Sequence, residues 1–430
     1  MSAPRSLHDR VPLKPGTAPA ILAAFITLGC AEFVRSGLYS GYLIPFIDAK
    51  NHMFHLPAAV GGLAWTTHLV ADTLMRGPAG LLLQRHGPRK VVMAGAVLCL
   101  AALSLLLVAK SAWMILLIAA LHGIGFSPFW PAAMNLTADA AKPGYEGRVL
   151  TVVSTSVMPL SALGTFTYAL VAKNSDTVPL LTSVSLGGLA LALTLLLPLR
   201  RLIQTTGGTD PVPGRPRLQK ALMPTLLPLL PAALMQTLTQ SLAGAYIIRV
   251  MGDFGLELWQ LVAVLVVGGV VAFASMPFTG RIADRGRAQL ALTLGFLLVG
   301  LGMLSFLLHP PLAALFLIAP VVGLGYAFLT PGWAALVAQM LPESQRPAAW
   351  GVIMTVESAG QAGGPAVGAV ALQAAGAGGP FGLAGVLALL TAGGYLVFRR
   401  HFQTPHLIAA RTSGGAASEP VPGTGAGRAD

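Results

Sequence analysis

Apolar runs of roughly twenty residues, separated by short polar breaks, recur from one end of this chain to the other. Wound as a helix, each run crosses a hydrocarbon core of about 30 Å while satisfying its own backbone hydrogen bonds, which leaves a polytopic helical membrane protein as the expected solution. The ten-residue alternation of a membrane β-barrel is missing. Composition agrees: 55% of the 430 residues are hydrophobic and 10% charged, too little polar surface to coat a water-soluble globule.

Read between polar breaks, spans are expected at 17–43, 57–83, 91–109, 112–138, 148–172 and 177–199, then at 220–248, 256–280, 288–308, 311–340, 344–372 and 377–398. The expected fold is all-α and membrane-embedded, with twelve transmembrane helices in two six-helix repeats around a central cavity. Its parts are a cytoplasmic segment 1–16, a bundle 17–199, a Gly/Pro-rich basic linker 200–219, a second bundle 220–399 and a disordered cytoplasmic tail 400–430. The first apolar run outlasts the core of a signal peptide and is read as a retained span. Cys30 and Cys99 both fall inside apolar runs, so neither a disulfide framework nor a metal site is expected.

A net charge of +12 raises the question of a nucleic-acid partner. The positions of the basic residues answer it. With both termini cytoplasmic, the inner segments hold most of them, whereas the outer ones hold only Lys50, Lys110, Lys173 and Arg249. The positive-inside rule therefore accounts for the basic balance without nucleic acid and predicts a multi-pass protein of the plasma membrane.

An internal repeat supports the two-bundle reading. Gly80-Leu-Leu-Leu-Gln84-Arg85 returns as Gly280-Arg-Ile-Ala-Asp284-Arg285, and Gly123-Ile-Gly125-Phe126 with Pro131 returns as Gly323-Leu-Gly325-Tyr326 with Pro331, both at a spacing of 200. Duplicated halves place a cavity at their interface, where a substrate binds near the midplane while the halves rock about it.

The stretches from Gly80 through Arg85 and Arg89 to Lys90, and from Gly280 through Asp284 and Arg285 to Arg287, resemble the cytoplasmic signature of the major facilitator superfamily. The resemblance implies a gate in which Gly permits close helix contact and the acid and arginines lock onto a neighbouring helix end. Gln84 replaces the usual Asp, so Asp284 is expected to carry the charged version. The superfamily's drug exporters carry Arg and Gln-Gly in span 4 and Gly-Pro in span 5. Here His122 takes the amide position, the Arg is absent, and the good Gly364-Pro365 copy lies in span 11. A multidrug or small-metabolite efflux antiporter is therefore the alternative rather than the first reading.

Charges inside apolar runs are the candidate machinery, because each costs several kcal/mol in lipid and must face a partner or water. Glu32 and Arg35, with Tyr39 and Tyr42, share a face of span 1; Trp65, His68, Asp72 and Arg76 form a stripe on span 2. Glu32 or Asp72 is expected to exchange a proton, with His68 adjusting it and Arg35 switching acid partners or binding an anion. The competing reading is an ion-paired latch that only orients the two helices. Aligning Gly41-Tyr42 with Ala245-Tyr246 sets Gln236 opposite Glu32, so the second half is neutral where the first is charged.

Further expected substrate contacts are Arg76, His122, Trp130, Gln236, Gln240, Tyr326 and Trp333, with Glu357 and Gln361 forming a second polar site. One polar wall and one aliphatic wall suit an amphiphile with a polar head and an acyl tail. Within the superfamily, Glu32, Arg35 and Asp72 are similar in pattern to the proton-coupled glycolipid flippases that supply lipoteichoic-acid anchors. No cofactor is expected beyond a proton gradient; the partners are the bilayer and a small or lipid-like substrate, and the chain is expected to act as a monomer. A membrane enzyme and a non-transporting sensor stay open as other classes.

Overall fold

The computed structural model describes residues 13–142, 146–199, 226–340 and 346–399, and within these not the side chains of 146–148, 150, 151, 154, 155 and 346–350. The expected linker 200–219 and tail 400–430 lie outside the described residues, as does most of the segment 1–16. The described chain is built from the helices α1 (Ala18–Phe46), α2 (Ala59–His86), α3 (Pro88–Leu106), α4 (Ala112–Ala140), α5 (Glu146–Ala172) and α6 (Thr177–Leu193). These are followed by α7 (Leu230–Val250), α8 (Leu258–Ile282), α9 (Ala288–Leu304), α10 (Leu312–Met340), α11 (Arg346–Ala375) and α12 (Gly379–Val397).

Seven stretches among the described residues are long and apolar enough to cross a membrane; two of them, Leu258–Leu308 and Gly351–Val397, each hold more than one helix. α2 and α7 are absent from the seven because they carry polar side chains: His68, Asp72 and Arg76 on the one, Gln236 and Gln240 on the other.

Helix ends depart from the hydropathy breaks. Spans expected to end at 83 and begin at 91 instead run to His86 and start at Pro88, joined by Gly87 alone at φ 80°. Apolarity stops where lipid stops, but helical hydrogen bonding continues beyond it through the exposed Gln84, Arg85 and His86, polar side chains suited to the interface. The positive φ at the joint is a conformation that Gly adopts without penalty.

Packing repeats along the chain. α1 lies against α5 and α6, α2 against α4, and α3 against α4 and α6; correspondingly α7 lies against α11 and α12, α8 against α10, and α9 against α10 and α12. Glycine contacts repeat at the same spacing of 200 residues. A Cβ on Gly123 would strike the His68 carbonyl, and one on Gly323 the Gly268 carbonyl; Gly95 faces the Gly125 carbonyl as Gly295 faces that of Gly325. Backbones this close gain dispersion contacts that larger residues would forbid, the usual basis of helix association in lipid.

The halves meet where α2 packs on α11 and the end of α1 on α7. The Ala366 N–H donates to Thr66 Oγ1 at 3.0 Å, and Gly62 sits under the Tyr246 hydroxyl and the Pro365 carbonyl. Arg249 at the end of α7 donates to the Pro45 carbonyl at 2.8 Å and forks onto both oxygens of Asp48. These crossing contacts lie together at the end of the molecule that carries the α1–α2 connection.

Candidate functional site

One helical turn places Glu32 and Arg35 on one face of α1, and the same arithmetic stacks His68, Asp72 and Arg76 on α2. Glu32 and Asp72 are each 1% exposed, which forces them onto partners. Arg35 donates to Glu32 Oε2 from Nη2 at 2.7 Å and from Nε at 3.0 Å. Arg76 grips Asp72 through two bonds, Nη2 to Oδ2 at 2.7 Å and Nε to Oδ1 at 3.2 Å. Glu32 accepts two further donors from other helices, the Trp130 indole N–H of α4 and the Ser161 hydroxyl of α5, the latter at 3.2 Å.

Arg35 Nη1 is the informative atom. It is buried, makes no hydrogen bond, and lies 3.7 Å from Asp72 Oδ2. That separation is too long for a hydrogen bond, yet at an effective dielectric constant of ~20 it carries about 4 kcal/mol of attraction. The guanidinium carbon lies over the Phe126 ring, 4.5 Å from its centroid, and over that of Trp65 at 5.5 Å. Arg35 is thus bonded to one acid and a short swing from the second.

Beside the cluster lies a buried aromatic layer. Tyr39 stacks on Trp65 at 4.8 Å, His68 and His122 approach at 4.7 Å, and the Tyr39 hydroxyl is 3.2 Å from His122 Nδ1. Just past Arg35, α1 loosens into a π-helical turn over Gly37–Leu43, where Gly37 and Gly41 press against Tyr168 and the Thr165 carbonyl of α5. Such turns re-aim side chains within otherwise regular helices.

A cavity of about 340 Å³ lies between the halves, lined from the first by Ser40 and Trp65 and from the second by Thr237, Gln240 and Gln361 among others. Across it, Gln236 and Trp333 both donate to Glu357 Oε1, at 2.7 and 2.8 Å, while the Thr237 hydroxyl bonds the Glu357 carbonyl. The second half therefore has its own acid, the half-buried Glu357 of α11, tied to the Gln that stands opposite Glu32 in the alignment.

The positions 200 residues beyond the first-half cluster explain the contrast between halves. Trp65, His68, Asp72, His122 and Phe126 correspond to Leu265, Gly268, Ala272, Val322 and Tyr326. Where the large and ionisable members of the first set are replaced by Leu, Gly, Ala and Val, a cavity of about 200 Å³ opens within the second half, lined almost wholly by apolar groups.

Other expected residues fall elsewhere. Tyr42 points away from the cluster and donates to Asp176 at 2.8 Å, joined there by His52 Nδ1 at 2.6 Å and the Met53 N–H at 2.7 Å. Arg89 fastens α3 to the end of α6 through the Leu197 carbonyl, as Gln289 fastens α9 to the Tyr395 carbonyl of α12. Close helix contact, the reason given for the signature glycines, is not made here. A Cβ added to Gly80 would meet nothing within 4 Å and one on Gly280 only Pro331 Cβ at 3.8 Å, both being remote from the end where the halves are fastened. Arg85, Asp284 and Arg285 are exposed and form no ion pair among the described residues.

Ser161, Phe126, Asp176 and the Asp48–Arg249 pair were not anticipated. A serine or phenylalanine in an apolar run carries no sequence signal, and charges near a loop look ordinary. Among the described residues no group of three or more His, Cys, Asp or Glu is placed to hold a metal ion.

Comparison with known proteins follows the same lines. The family model described as Major Facilitator Superfamily matches residues 24–322 and 229–423. The chain is 23% identical over 364 residues to the proton-coupled antiporter flippase LtaA of Staphylococcus aureus strain USA300, covering 81% of this chain and 86% of that protein. Among solved structures, a bacterial homolog of the human lysosomal transporter Spinster, in an inward-facing and unoccupied conformation, superposes with a TM-score of 0.69 at 14% identity over 95% of this chain and 100% of that one. The nucleoside transporter NupG superposes with a TM-score of 0.65 at 12% identity, over 88% and 99%.

Proposed function

The chain belongs to the Major Facilitator Superfamily, and from that premise we propose that it is a proton-coupled secondary transporter that moves an amphiphilic, lipid-like small molecule by alternating access. Membership makes it a membrane-spanning transporter rather than an enzyme. The observation that carries the coupling proposal is Arg35, bonded to Glu32 and 3.7 Å from Asp72. Two buried carboxylates balance two guanidiniums, that of Arg35 buried and that of Arg76 about one-third exposed. A proton added to either acid leaves one uncompensated positive charge, which is costly in low dielectric. Arg35 then transfers to the other acid or to an anionic group of the substrate, so that protonation and binding become linked.

The substrate class rests on the contrast between halves: a charged, aromatic wall in the first and an apolar cavity at the corresponding positions of the second. A polar headgroup fits the one and an acyl chain the other. The likeness to a proton-coupled flippase supports a lipid-type substrate, with a glycolipid the specific candidate. The recurrence of helix pairings and glycine contacts supports twelve crossings, α1–α6 and α7–α12, as two six-helix repeats. The alternating basic segments support cytoplasmic termini in the plasma membrane, and one chain holding both walls supports action as a monomer.

Translocation in proteoliposomes tests the substrate class. A fluorescent glycolipid should cross faster than in protein-free vesicles, and faster still with a pH gradient, while its water-soluble headgroup alone should not be moved. Equal transport of the tailless headgroup would overturn the amphiphile reading.

A further inference from the structure

α3 and α4 meet at Gly95 and Gly125, each of which leaves no room for a Cβ against the other's carbonyl. Beside this contact a groove of about 360 Å³ runs between α2 and α3, floored by α4. Met75 and Leu82 of α2 form one wall, Val91 and Leu98 of α3 the other. Leu74, Leu82 and Val97 are exposed around it, as expected for a surface facing acyl chains. The stretch of α3 along the groove, from Lys90 to Leu98, rises about 12 Å into the apolar zone.

The mouth of the groove has the opposite chemistry. His86 and Lys90 line it and are exposed, and the exposed Arg85 is next to His86 in the last turn of α2. None of the three forms an ion pair among the described residues. The position that holds Asp284 in the second half is Gln84 here, so this position supplies no acid to offset the local positive charge. His86 and Lys90 have no basic counterparts 200 residues on, where Gly286 and Leu290 stand. Arg89 is turned away onto the Leu197 carbonyl. The first turn of α3, a 19-residue helix, adds its positive dipole end to the same place.

We propose that this groove is a binding site for an anionic phospholipid of the surrounding leaflet, one acyl chain lying between Met75, Leu82, Val91 and Leu98 and the phosphate engaging Lys90, His86 and Arg85. Exposed basic residues near a membrane surface attract anionic lipid, and the apolar groove adds burial of methylene groups that a free phosphate lacks. A zwitterionic headgroup would bring its own cation against Lys90. The bound lipid bridges α2 and α3 beside Gly87, the single residue that joins them, and so stabilises the first half. This site is separate from the Glu32–Asp72 cluster and does not depend on its role.

Thermal unfolding of the purified full chain in detergent tests this, with phosphatidylglycerol, phosphatidylcholine of the same acyl chains, and inorganic phosphate added in turn. Phosphatidylglycerol should raise the midpoint by several degrees and the other two by much less. The Lys90→Gln, His86→Gln double variant should unfold at the parent temperature without lipid but lose that rise. Ala94→Trp, which fills the groove without altering charge, should lose it too. Equal stabilisation by phosphatidylcholine or by phosphate would overturn the proposal, as would retention of the phosphatidylglycerol effect in either variant.

Discussion

Glu32 is held by donors from three helices, Arg35, Trp130 and Ser161, and each donor ties its orientation to the packing of α1 against α4 and α5. A hydrogen bond to a charged group contributes roughly 1.5–3 kcal/mol. If the indole bond is made in only one of the two access states, Trp130→Phe should slow substrate-driven proton flux roughly 10- to 100-fold while leaving the protein folded and inserted in the membrane. Flux unchanged within twofold would show that the bond is equally present throughout the cycle. At this scale the sequence was a good guide to the ionisable members, because Glu32, Arg35, Asp72 and Arg76 stand out against apolar neighbours for which lipid exposure is cheap. It was a poor guide to Tyr42, whose helical phase matches Tyr39 until the π-helical turn carries it toward Asp176. A hydroxyl such as that of Ser161 costs too little in a helix to be noticed.

At the scale of elements, the close approaches of α2 to α4 and of α8 to α10 both depend on one missing Cβ. Gly323→Ala would drive its methyl into the Gly268 carbonyl, backbone that cannot rotate aside, and Gly123→Ala would do the same against His68. Overpacking of this kind costs typically 1–3 kcal/mol, so each substitution should lower the unfolding midpoint of the detergent-purified protein by several degrees. Gly393→Ala on α12, with nothing within 4 Å, should leave it unchanged or raise it, since Ala favours a helix by up to about 1 kcal/mol. Similar behaviour of all three would mean that these contacts do not hold the helices together. The glycine landmarks were legible as a sequence repeat, whereas their partners were not: nothing local to Gly123 says that His68 faces it. Helix ends were misjudged at α2 and α3 for a related reason, because hydropathy registers the lipid boundary and not the last hydrogen bond.

Across the whole molecule, the two halves share one pattern of packing but not one chemistry. The fork of Arg249 on Asp48 and the contact of Thr66 with Ala366 fasten them at the α1–α2 end, which fits one member of a pair of access states. The polar cluster occupies one half, and the cavity of about 200 Å³ occupies the corresponding place in the other. Membrane embedding and the repeat could be read from apolar runs and recurring motifs. That second cavity could not, because it arises from small residues whose significance appears only when they are set against Trp65, His68 and His122. The central claim is that the Glu32–Arg35–Asp72–Arg76 set links a proton to substrate movement. Its most direct test is substrate-driven acidification or alkalinisation inside proteoliposomes, followed by a trapped pH dye, for the parent, Glu32→Gln and Asp72→Asn. The account predicts that the parent moves protons when substrate is added and that at least one acid variant loses this flux more than tenfold while still binding substrate. If both variants move protons and accumulate substrate like the parent, with the same dependence on external pH, the cluster is only a structural latch.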